Sequence, residues 1–138
     1  MQVCYYNEAT DKYLFTVNQT FDEKGKVRKF VTKYSKTDTS LVENYMYDDK
    51  DSLVYRITYD GDWKFPLESI HYKKGKENYK TINLYENGKL LTRTQYNRGK
   101  MTGRKEFRYE NDILSEFISY NRKNEISERI SLNIQMYN

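Results

Sequence analysis

The chain has 138 residues, a formal net charge of +4 and 15 tyrosines among its hydrophobic residues. This length suffices for one domain, and we expect a single domain over residues 1–138. No stretch approaches the roughly 20 apolar residues of a membrane-spanning helix, and an aromatic content of 16% argues against disorder. The only cysteine, Cys4, and the only histidine, His71, exclude an internal disulfide and any metal site built from several of either residue.

The first element along the chain is a strand predicted at residues 2–6, and a regular pattern begins at residue 21. From there, an aromatic residue precedes a short polar cluster every 11 to 13 positions. The clusters are rich in Gly, Asn and Asp, which favour turns, and an apolar residue usually follows. A fixed period indicates an array of units that each pack against the next. The periodic aromatic residues are Phe21, Tyr34, Tyr47, Tyr59, Tyr72, Tyr85, Tyr96, Tyr109 and Tyr120.

Between the turns, apolar and polar residues alternate with the period of two that is typical of strands. In one such segment Leu53, Tyr55 and Ile57 alternate with Val54 and Arg56. Strands of seven or eight residues, joined by short turns, account for the period. The sequence therefore predicts an all-β fold, an antiparallel β-meander of repeated hairpins with roughly nine to ten strands in a single twisted or curled sheet.

The dipeptide Asn87-Gly88 is the strongest single turn signal, because both central residues of a type I′ hairpin turn need positive φ. Consecutive hairpins are expected to bring the tyrosines before the turns together as cross-strand aromatic pairs on neighbouring strands. We therefore assign the periodic tyrosines a mainly structural role.

Two loops interrupt the rhythm, and the second carries a candidate binding site. Residues 35–40 are polar throughout, whereas residues 60–66 contain the only tryptophan, Trp63, together with Phe65 and the only proline. Aromatic residues in a loop on a rigid scaffold are typical of recognition sites. Trp63 and Phe65 are therefore predicted to contact a partner. The alternative is that both rings fold back and cover the sheet.

A second candidate site is a basic patch in the C-terminal half. Residues 70–138 contain 14 Lys and Arg against 8 Asp and Glu, whereas residues 1–69 contain 10 against 12. One patch on neighbouring strands would attract an acidic protein surface, a phosphate backbone or an anionic membrane. In the alternative reading, Arg104 and Arg108 pair with Glu106 and Glu116 on an ordinary solvated face. The predicted patch residues are Arg93, Arg98, Lys100, Arg104 and Arg108.

The segment 126–136 is the most apolar part of the chain. Its apolar residues alternate with polar ones, which predicts a strand, although Ile126, Ile130 and Ile134 also fit the stripe of a helix. The strand explains more positions and is preferred. Because sheet edges and apolar faces need cover, we expect this strand to be a contact for another molecule.

No motif predicts catalysis. A nucleophile and base pair made of Cys4 and His71 would require a terminal strand to meet one from mid-chain. Asp48, Asp49 and Asp51 lack the Gly and the terminal Glu of a calcium-binding loop, and they predict a turn. No glycine-rich phosphate-binding motif occurs. We therefore predict that the protein is not an enzyme and has no catalytic residues, metal or cofactor.

Residues 85–113 resemble a known repeat. They read Tyr-Glu-Asn-Gly-Lys-Leu at 85–90, Tyr-Asn-Arg-Gly-Lys-Met-Thr-Gly at 96–103 and Tyr-Glu-Asn-Asp-Ile at 109–113. This text is similar to the bacterial variant of the MORN repeat, with Asp112 in place of the expected glycine; YD-type repeats of large surface proteins match less well. The resemblance implies a meander of hairpins without catalytic residues. Bacterial relatives include the antitoxin-like YwqK group and exported proteins, and eukaryotic ones are linked to membrane junctions and phosphoinositides.

Three functional hypotheses follow. The leading one is a non-enzymatic protein-binding module of the antitoxin or immunity kind, whose partner is a toxin or a surface protein. The second is an exported cell-surface or envelope repeat protein with a structural or adhesive role, and the third is a binder of anionic lipid or nucleic acid. The apolar sheet face or a sheet edge could also join copies of the chain. A native start at Met1 implies a cytoplasmic protein, and a trimmed mature form implies an exported one.

Overall fold

The computed structural model describes residues 2–7, 12–34, 39–61 and 64–133, and every regular element in these ranges is a β-strand. The predicted all-β fold is thereby confirmed. The chain divides into two compact units, Met1–Lys76 and Glu77–Asn138.

In the described part of the unit Met1–Lys76, each strand is hydrogen-bonded antiparallel to the next one along the chain. Short connections favour this order, because parallel neighbours would need a crossover of a dozen or more residues. The strands are β1 (Gln2–Asn7), β2 (Lys12–Phe21), β3 (Val27–Tyr34), β4 (Thr39–Tyr47), β5 (Leu53–Asp60) and β6 (Pro66–Lys73).

The unit Glu77–Asn138 repeats this pattern, and its first strand begins one residue earlier, at Lys76. Four further antiparallel pairs join consecutive strands. The predicted β-meander of hairpins is therefore confirmed within each unit. The strands are β7 (Lys76–Glu86), β8 (Lys89–Asn97), β9 (Lys100–Glu110), β10 (Ile113–Tyr120) and β11 (Ile126–Ser131).

The described residues form 11 strands, where the aromatic rhythm predicts nine to ten. Each periodic aromatic residue is the last or second-last residue of a strand, from Phe21 in β2 to Tyr120 in β10. One strand, β11, follows the last of them. The remaining strand is β1, which lies before the aromatic period begins. It was predicted only from the strand-like residues 2–6.

Four two-residue turns share one conformation. Asn87 and Gly88 have φ of 49° and 76°, so the predicted type I′ geometry is confirmed. Lys74–Gly75, Arg98–Gly99 and Asn111–Asp112 also combine two positive φ values. Asp112, at the position where the sequence pattern led us to expect glycine, has a left-handed φ of 67°.

A longer turn closes three other hairpins, and an Asx side chain holds each one together. The Oδ1 atom of Asp22 accepts the backbone N–H groups of Lys24 and Lys26, each at 2.9 Å. Asp48 and Asn121 accept the equivalent two bonds in the turns 48–52 and 121–125. Each Asx residue directly follows a periodic aromatic residue, so the polar clusters of the sequence are local turn chemistry.

The turn at Asp22 makes stability depend on pH. The hydrogen bonds from Lys26 and Lys24 and the charge of Arg28 outweigh desolvation and hold the pKa of Asp22 below its ordinary value. With a depressed folded pKa, the carboxylate contributes fully above its unfolded pKa of about 3.9, and the contribution is lost as pH falls through the lower folded pKa.

We expect the substitution Asp22→Asn to flatten the fall in unfolding temperature between about pH 5 and pH 2, because an amide oxygen accepts the same bonds without titrating. Asn121 already holds its turn in this way. Thermal unfolding of both proteins across this pH range tests the expectation. An equally steep decline in the variant would show that Asp22 does not link folding to proton binding.

Seven of the hairpins carry a β-bulge beside a periodic aromatic residue, whereas Tyr34 pairs with Thr39 without a register shift. Tyr96 pairs with Met101, but the next pair is Gln95 with Gly103, which leaves Thr102 as the extra residue. A bulge of this kind fixes the register and increases the local twist. The same shift lies beside Phe21, Tyr47, Tyr59, Tyr85, Tyr109 and Tyr120.

The expected pairing of tyrosines on neighbouring strands is wrong. Consecutive strands run in opposite directions, so Tyr96 at the end of β8 and Tyr109 at the end of β9 lie at opposite ends of the hairpin. Where the register is described, each periodic aromatic residue instead faces the first or second residue of the next strand. Tyr96 faces Met101 and Tyr120 faces Ile126, for example.

Two tyrosines, one in each unit, are fixed by the same set of contacts. The hydroxyl groups of Tyr47 and Tyr109 donate at 2.9 Å to carbonyls at the start of the preceding strand, those of Val27 and Leu90 respectively. A lysine lies over each ring, Lys26 at 5.0 Å from the centroid of Tyr47 and Lys89 at 5.9 Å from that of Tyr109. Each lysine also pairs with an aspartate in the turn after the tyrosine. These contacts support the structural role predicted for the periodic tyrosines.

Few side chains are fully buried. Among the described side chains only Val17, Val42, Ile70 and Ile118 are buried, and no polar residue is. All eight positions of β5 are half-buried, so its two faces are covered to a similar extent. The alternation in its sequence therefore separates two partly covered faces, and not a core from a solvent side.

The strand predicted at 126–136 is confirmed for Ile126–Ser131, which form β11. Ile130 is half-buried, and the other five residues are exposed. Leu132 and Asn133 follow without regular structure, and residues 134–136 lie outside the described residues. The most apolar segment of the sequence is therefore largely open to solvent in its described part.

Candidate functional site

Charged side chains cover one face of β9, β10 and β11. Arg104 lies 2.8 Å from Glu106, Arg108 lies 3.1 Å from Glu116, and Arg129 lies 3.6 Å from Glu116. The register places Arg108 directly opposite Glu116, so these side chains share a face. This arginine network matches the alternative reading, in which Arg104 and Arg108 pair with Glu106 and Glu116.

The arginine network surrounds the most deeply buried residue of its unit. Ile118 is 0% exposed and lies directly between Glu106 and Arg129 in the register. The Tyr120 hydroxyl donates to Glu106 at 3.1 Å, and the Arg104 guanidinium lies 4.3 Å from the Tyr120 ring centroid. Long side chains thus cover the isoleucine with their apolar stems and keep their charges at the surface.

The unit Met1–Lys76 contains a similar arrangement around Arg56. Its guanidinium lies 3.2 Å from Glu68 and 3.9 Å from Glu43, which accepts the Tyr45 hydroxyl at 3.3 Å. Arg56 is directly opposite the buried Ile70. Both units therefore place an Arg–Glu–Tyr network around a buried isoleucine.

The electrostatics of this second network favour a structural role. Desolvation opposes the charge of Arg56, but it is outweighed by the combined charges of four neighbours, so the pKa of Arg56 is raised; these neighbours are Tyr72, Glu43, Tyr45 and Glu68. Desolvation and the carboxylate of Glu43 raise the pKa of the Tyr45 hydroxyl. Arg56 therefore stays charged and Tyr45 stays neutral at physiological pH, so neither group can accept a proton as a general base.

The five residues of the predicted basic patch do not form a single surface. Arg93 is directly opposite Lys105, and its Nε donates to Asn83 at 3.0 Å. Lys105 alternates with Arg104 along β9, so Arg93 lies on the other face from Arg104 and Arg108. The remaining two, Arg98 and Lys100, are exposed at the turn between β8 and β9.

Of the two aromatic residues predicted for recognition, Trp63 lies outside the described residues. Phe65 is half-buried, and its carbonyl accepts the N–H of Asp60 at 3.3 Å, which closes the loop. The half-burial of Phe65 is closer to the alternative, in which the loop covers the sheet.

The residues considered for catalysis and metal binding occupy structural positions. His71 lies in β6 opposite Tyr55, with ring centroids 4.5 Å apart. The backbone of Cys4 lies in β1, paired with Thr16. Asp51 lies in the turn between β4 and β5, as predicted, and its N–H donates to the carbonyl of Asp48 at 2.9 Å. In the described ranges, no three His, Cys, Asp or Glu residues are grouped so that they could hold a metal ion.

An exposed apolar strip, which the sequence analysis missed, lies on β7 and β8. Leu84 is 57% exposed and Ile82 is 37% exposed, and the register places them opposite Thr92 and Thr94. The two threonines are in turn opposite Glu106 and Arg104, so the strip shares a face with the arginine network. In the sequence the two apolar residues alternate with Thr81 and Asn83, which looks like any half-buried strand. The apolar strip consists of Ile82, Leu84, Thr92 and Thr94.

A cleft of about 420 Å³ lies beside the arginine network, at the bulge that Ser115 forms in β10. Arg108 and Glu116 line it, but they are already paired with each other. Its lining is mainly polar, unlike the apolar pockets that hold small molecules. The apolar strip and the exposed turns are thus better candidates for contact with a partner.

Comparisons with known protein families and with curated proteins find no match to this chain. The described residues contain no helix long and apolar enough to span a membrane. The case for a function therefore depends on the surfaces described above.

Proposed function

We propose that this chain is a non-enzymatic protein-binding repeat module of the antitoxin or immunity kind, and that the apolar strip is its contact surface. The observation that supports this proposal is the exposure of Leu84 and Ile82 on a face that they share with the arginine network. Large apolar side chains that protrude from a sheet are typical of surfaces that another molecule covers.

The composition of this face is that of a protein interface. Its apolar residues and two threonines carry no charge. Lys80 and Glu86 flank them along β7, and Arg104 and Glu106 lie one strand away on β9. An interface of two proteins commonly has such an uncharged centre and a polar rim. Because Arg104 and Glu106 are paired with each other, they would tune specificity and association rate more than affinity.

The antitoxin or immunity role comes from the resemblance of residues 85–113 to bacterial repeats, a segment that starts directly after Leu84. A protein of that kind forms a one-to-one complex with its partner. The apolar strip would then contain the energetically dominant contacts, which usually lie at the centre of an interface.

The test is capture of partners from a lysate of the source organism with three tagged proteins: wild type, Leu84→Glu and Tyr79→Glu. Tyr79 is the matched control, because it is 53% exposed on the other face of the same strand. Burying a charge in place of Leu84 should weaken binding by roughly 30-fold, the effect of about 2 kcal/mol. We expect one protein at near-equal amount with wild type and Tyr79→Glu, and its loss with Leu84→Glu.

Two outcomes would contradict the proposal. Equal recovery of the same protein by all three baits would remove the apolar strip as the contact surface. Recovery of only lipid or nucleic acid, or of nothing, would argue against a protein-binding module.

A further inference from the structure

An antiparallel meander brings alternate turns to the same end of its strands. In the unit Glu77–Asn138, the turn between β8 and β9 and the turn between β10 and β11 share one end. Two strand spacings separate them, about 10 Å. Arg98 and Lys100 belong to the first turn and Arg122 and Lys123 to the second, and all four are exposed. These four residues are here named the cationic end.

No member of the cationic end has an ion pair or a side-chain hydrogen bond with any described residue. The nearby carboxylates are few. Glu125 in the second turn accepts the side-chain amide of Asn121 at 3.1 Å, and Glu77 at the start of β7 pairs with Lys80 at 3.4 Å. Because Lys80 already balances the charge of Glu77, the four unpaired cations face one remaining carboxylate, that of Glu125, which leaves an excess of positive charge at this end.

At the equivalent end of the unit Met1–Lys76, lysines of one turn form ion pairs with an aspartate of the other. Its turns 22–26 and 48–52 are also one hairpin apart, and ion pairs connect them: Lys24 lies 3.0 Å and Lys26 lies 3.9 Å from Asp51. Alternate turns are therefore close enough for a single carboxylate to bind lysines from the neighbouring turn. The cationic end has this geometry but lacks the residue that corresponds to Asp51.

The backbone of Arg98 has an unfavourable conformation. Its φ is 48° at the first position of a type I′ turn. Asn87 and Asn111 hold the same position in two other turns and Lys74 holds it in a third, and asparagine tolerates positive φ better than a long side chain does. Asparagine would therefore suit the turn of Arg98 better than arginine does.

We propose that the cationic end binds an acidic segment of a partner protein, whose carboxylates take the place that Asp51 occupies in the first unit. In an extended segment, carboxylates two or four residues apart share a face and span about 7 or 13 Å, which brackets the distance between the two turns. The site is separate from the apolar strip, so this proposal goes beyond the proposed function.

The rings near the cationic end do not favour nucleic acid. Lys80 lies 5.3 Å from the ring centroid of Tyr96, and Arg104 lies 4.3 Å from that of Tyr120. Binding of single-stranded nucleic acid relies on open aromatic faces on which bases stack. A cation already occupies a face of each of these tyrosines, which leaves attraction between charges as the main means of recognition.

The test measures the fluorescence anisotropy of a labelled ten-residue oligoglutamate peptide at low salt. The variant Lys100→Gln with Lys123→Gln removes one lysine from each turn. Its matched control, Lys50→Gln with Lys64→Gln, removes two exposed lysines of the other unit and the same net charge. We expect the first variant to bind about tenfold more weakly than wild type, and the control to stay within about twofold.

A further variant, Arg98→Asn, separates binding from folding. It should raise the urea midpoint by about 0.3 M, because asparagine suits the turn, while it lowers affinity for the peptide. Unchanged affinity in the first variant, or an equal loss in the control, would overturn the proposal. So would tighter binding to a ten-residue oligothymidylate or to vesicles of phosphatidylcholine and phosphatidylserine, or no binding to any probe.

Discussion

Replacement of Ile118 by alanine is expected to lower the free energy of unfolding by about 2–4 kcal/mol. Ile118 is 0% exposed and is the one buried side chain in the described part of the unit Glu77–Asn138. The substitution removes apolar contacts and leaves a space beneath the arginine network. Partial collapse of Arg104 and Arg129 into that space limits the loss, because long side chains adapt more easily than a close-packed core does. Urea unfolding followed by circular dichroism measures the change.

The control for this substitution is Ile126→Ala, in the neighbouring strand β11. Ile126 is 54% exposed, so the same chemical change should cost less than about 0.5 kcal/mol. If Ile118→Ala costs no more than Ile126→Ala, the buried isoleucine does not stabilise its unit, and the ion pairs and strand hydrogen bonds carry that role.

The second large effect is expected for Arg56→Gln in the unit Met1–Lys76. This substitution leaves Glu43 and Glu68 near each other without the cation that both contact. The loss of unfolding free energy should be about 1.5–3 kcal/mol. The value lies below that of a fully buried pair because the Arg56 side chain is 28% exposed and solvent screens part of the repulsion.

The matched control is Arg129→Gln in the arginine network. Arg129 is 51% exposed and lies 3.6 Å from Glu116, which keeps its second partner, Arg108. The cost should be under about 0.5 kcal/mol, as for most surface ion pairs. Equal, small losses in both variants would mean that Arg56 behaves as an ordinary surface residue.

Strands and turns were predictable because their causes are local. An aromatic residue, an Asx or Asn-Gly turn and an apolar residue lie within a few positions of one another, and each hairpin contains the whole signal. Asp22 and Asn87 show this: the first holds its turn with its own side chain, and the second adopts the φ that its turn type demands. Because the aromatic period does not extend to β1, the period alone did not predict that strand.

The faces of the strands were not predictable, because each bulge adds a residue and shifts the alternation. If side chains alternated regularly along both strands, starting from the opposed pair Tyr96 and Met101, Arg93 and Arg104 would lie on the same face. The bulge at Thr102 moves every following side chain of β9 by one position relative to β8, so Arg93 faces Lys105 instead. The position of a bulge depends on both strands of a pair, so it cannot be predicted from the sequence of one strand alone. The division of the basic patch was hidden for this reason, whereas the apolar strip was hidden because its alternation is that of any half-buried strand.

The pairing of consecutive strands has a consequence for how the chain folds. Every described pair joins strands that are adjacent in the sequence, so contacts form between residues a short chain distance apart. Such a low contact order predicts faster folding than that of a β-sandwich of equal length, whose strands must find distant partners. Folding can begin at any hairpin and spread to its neighbours. Evolution could also lengthen or shorten such a chain by whole hairpins without redesigning those that remain.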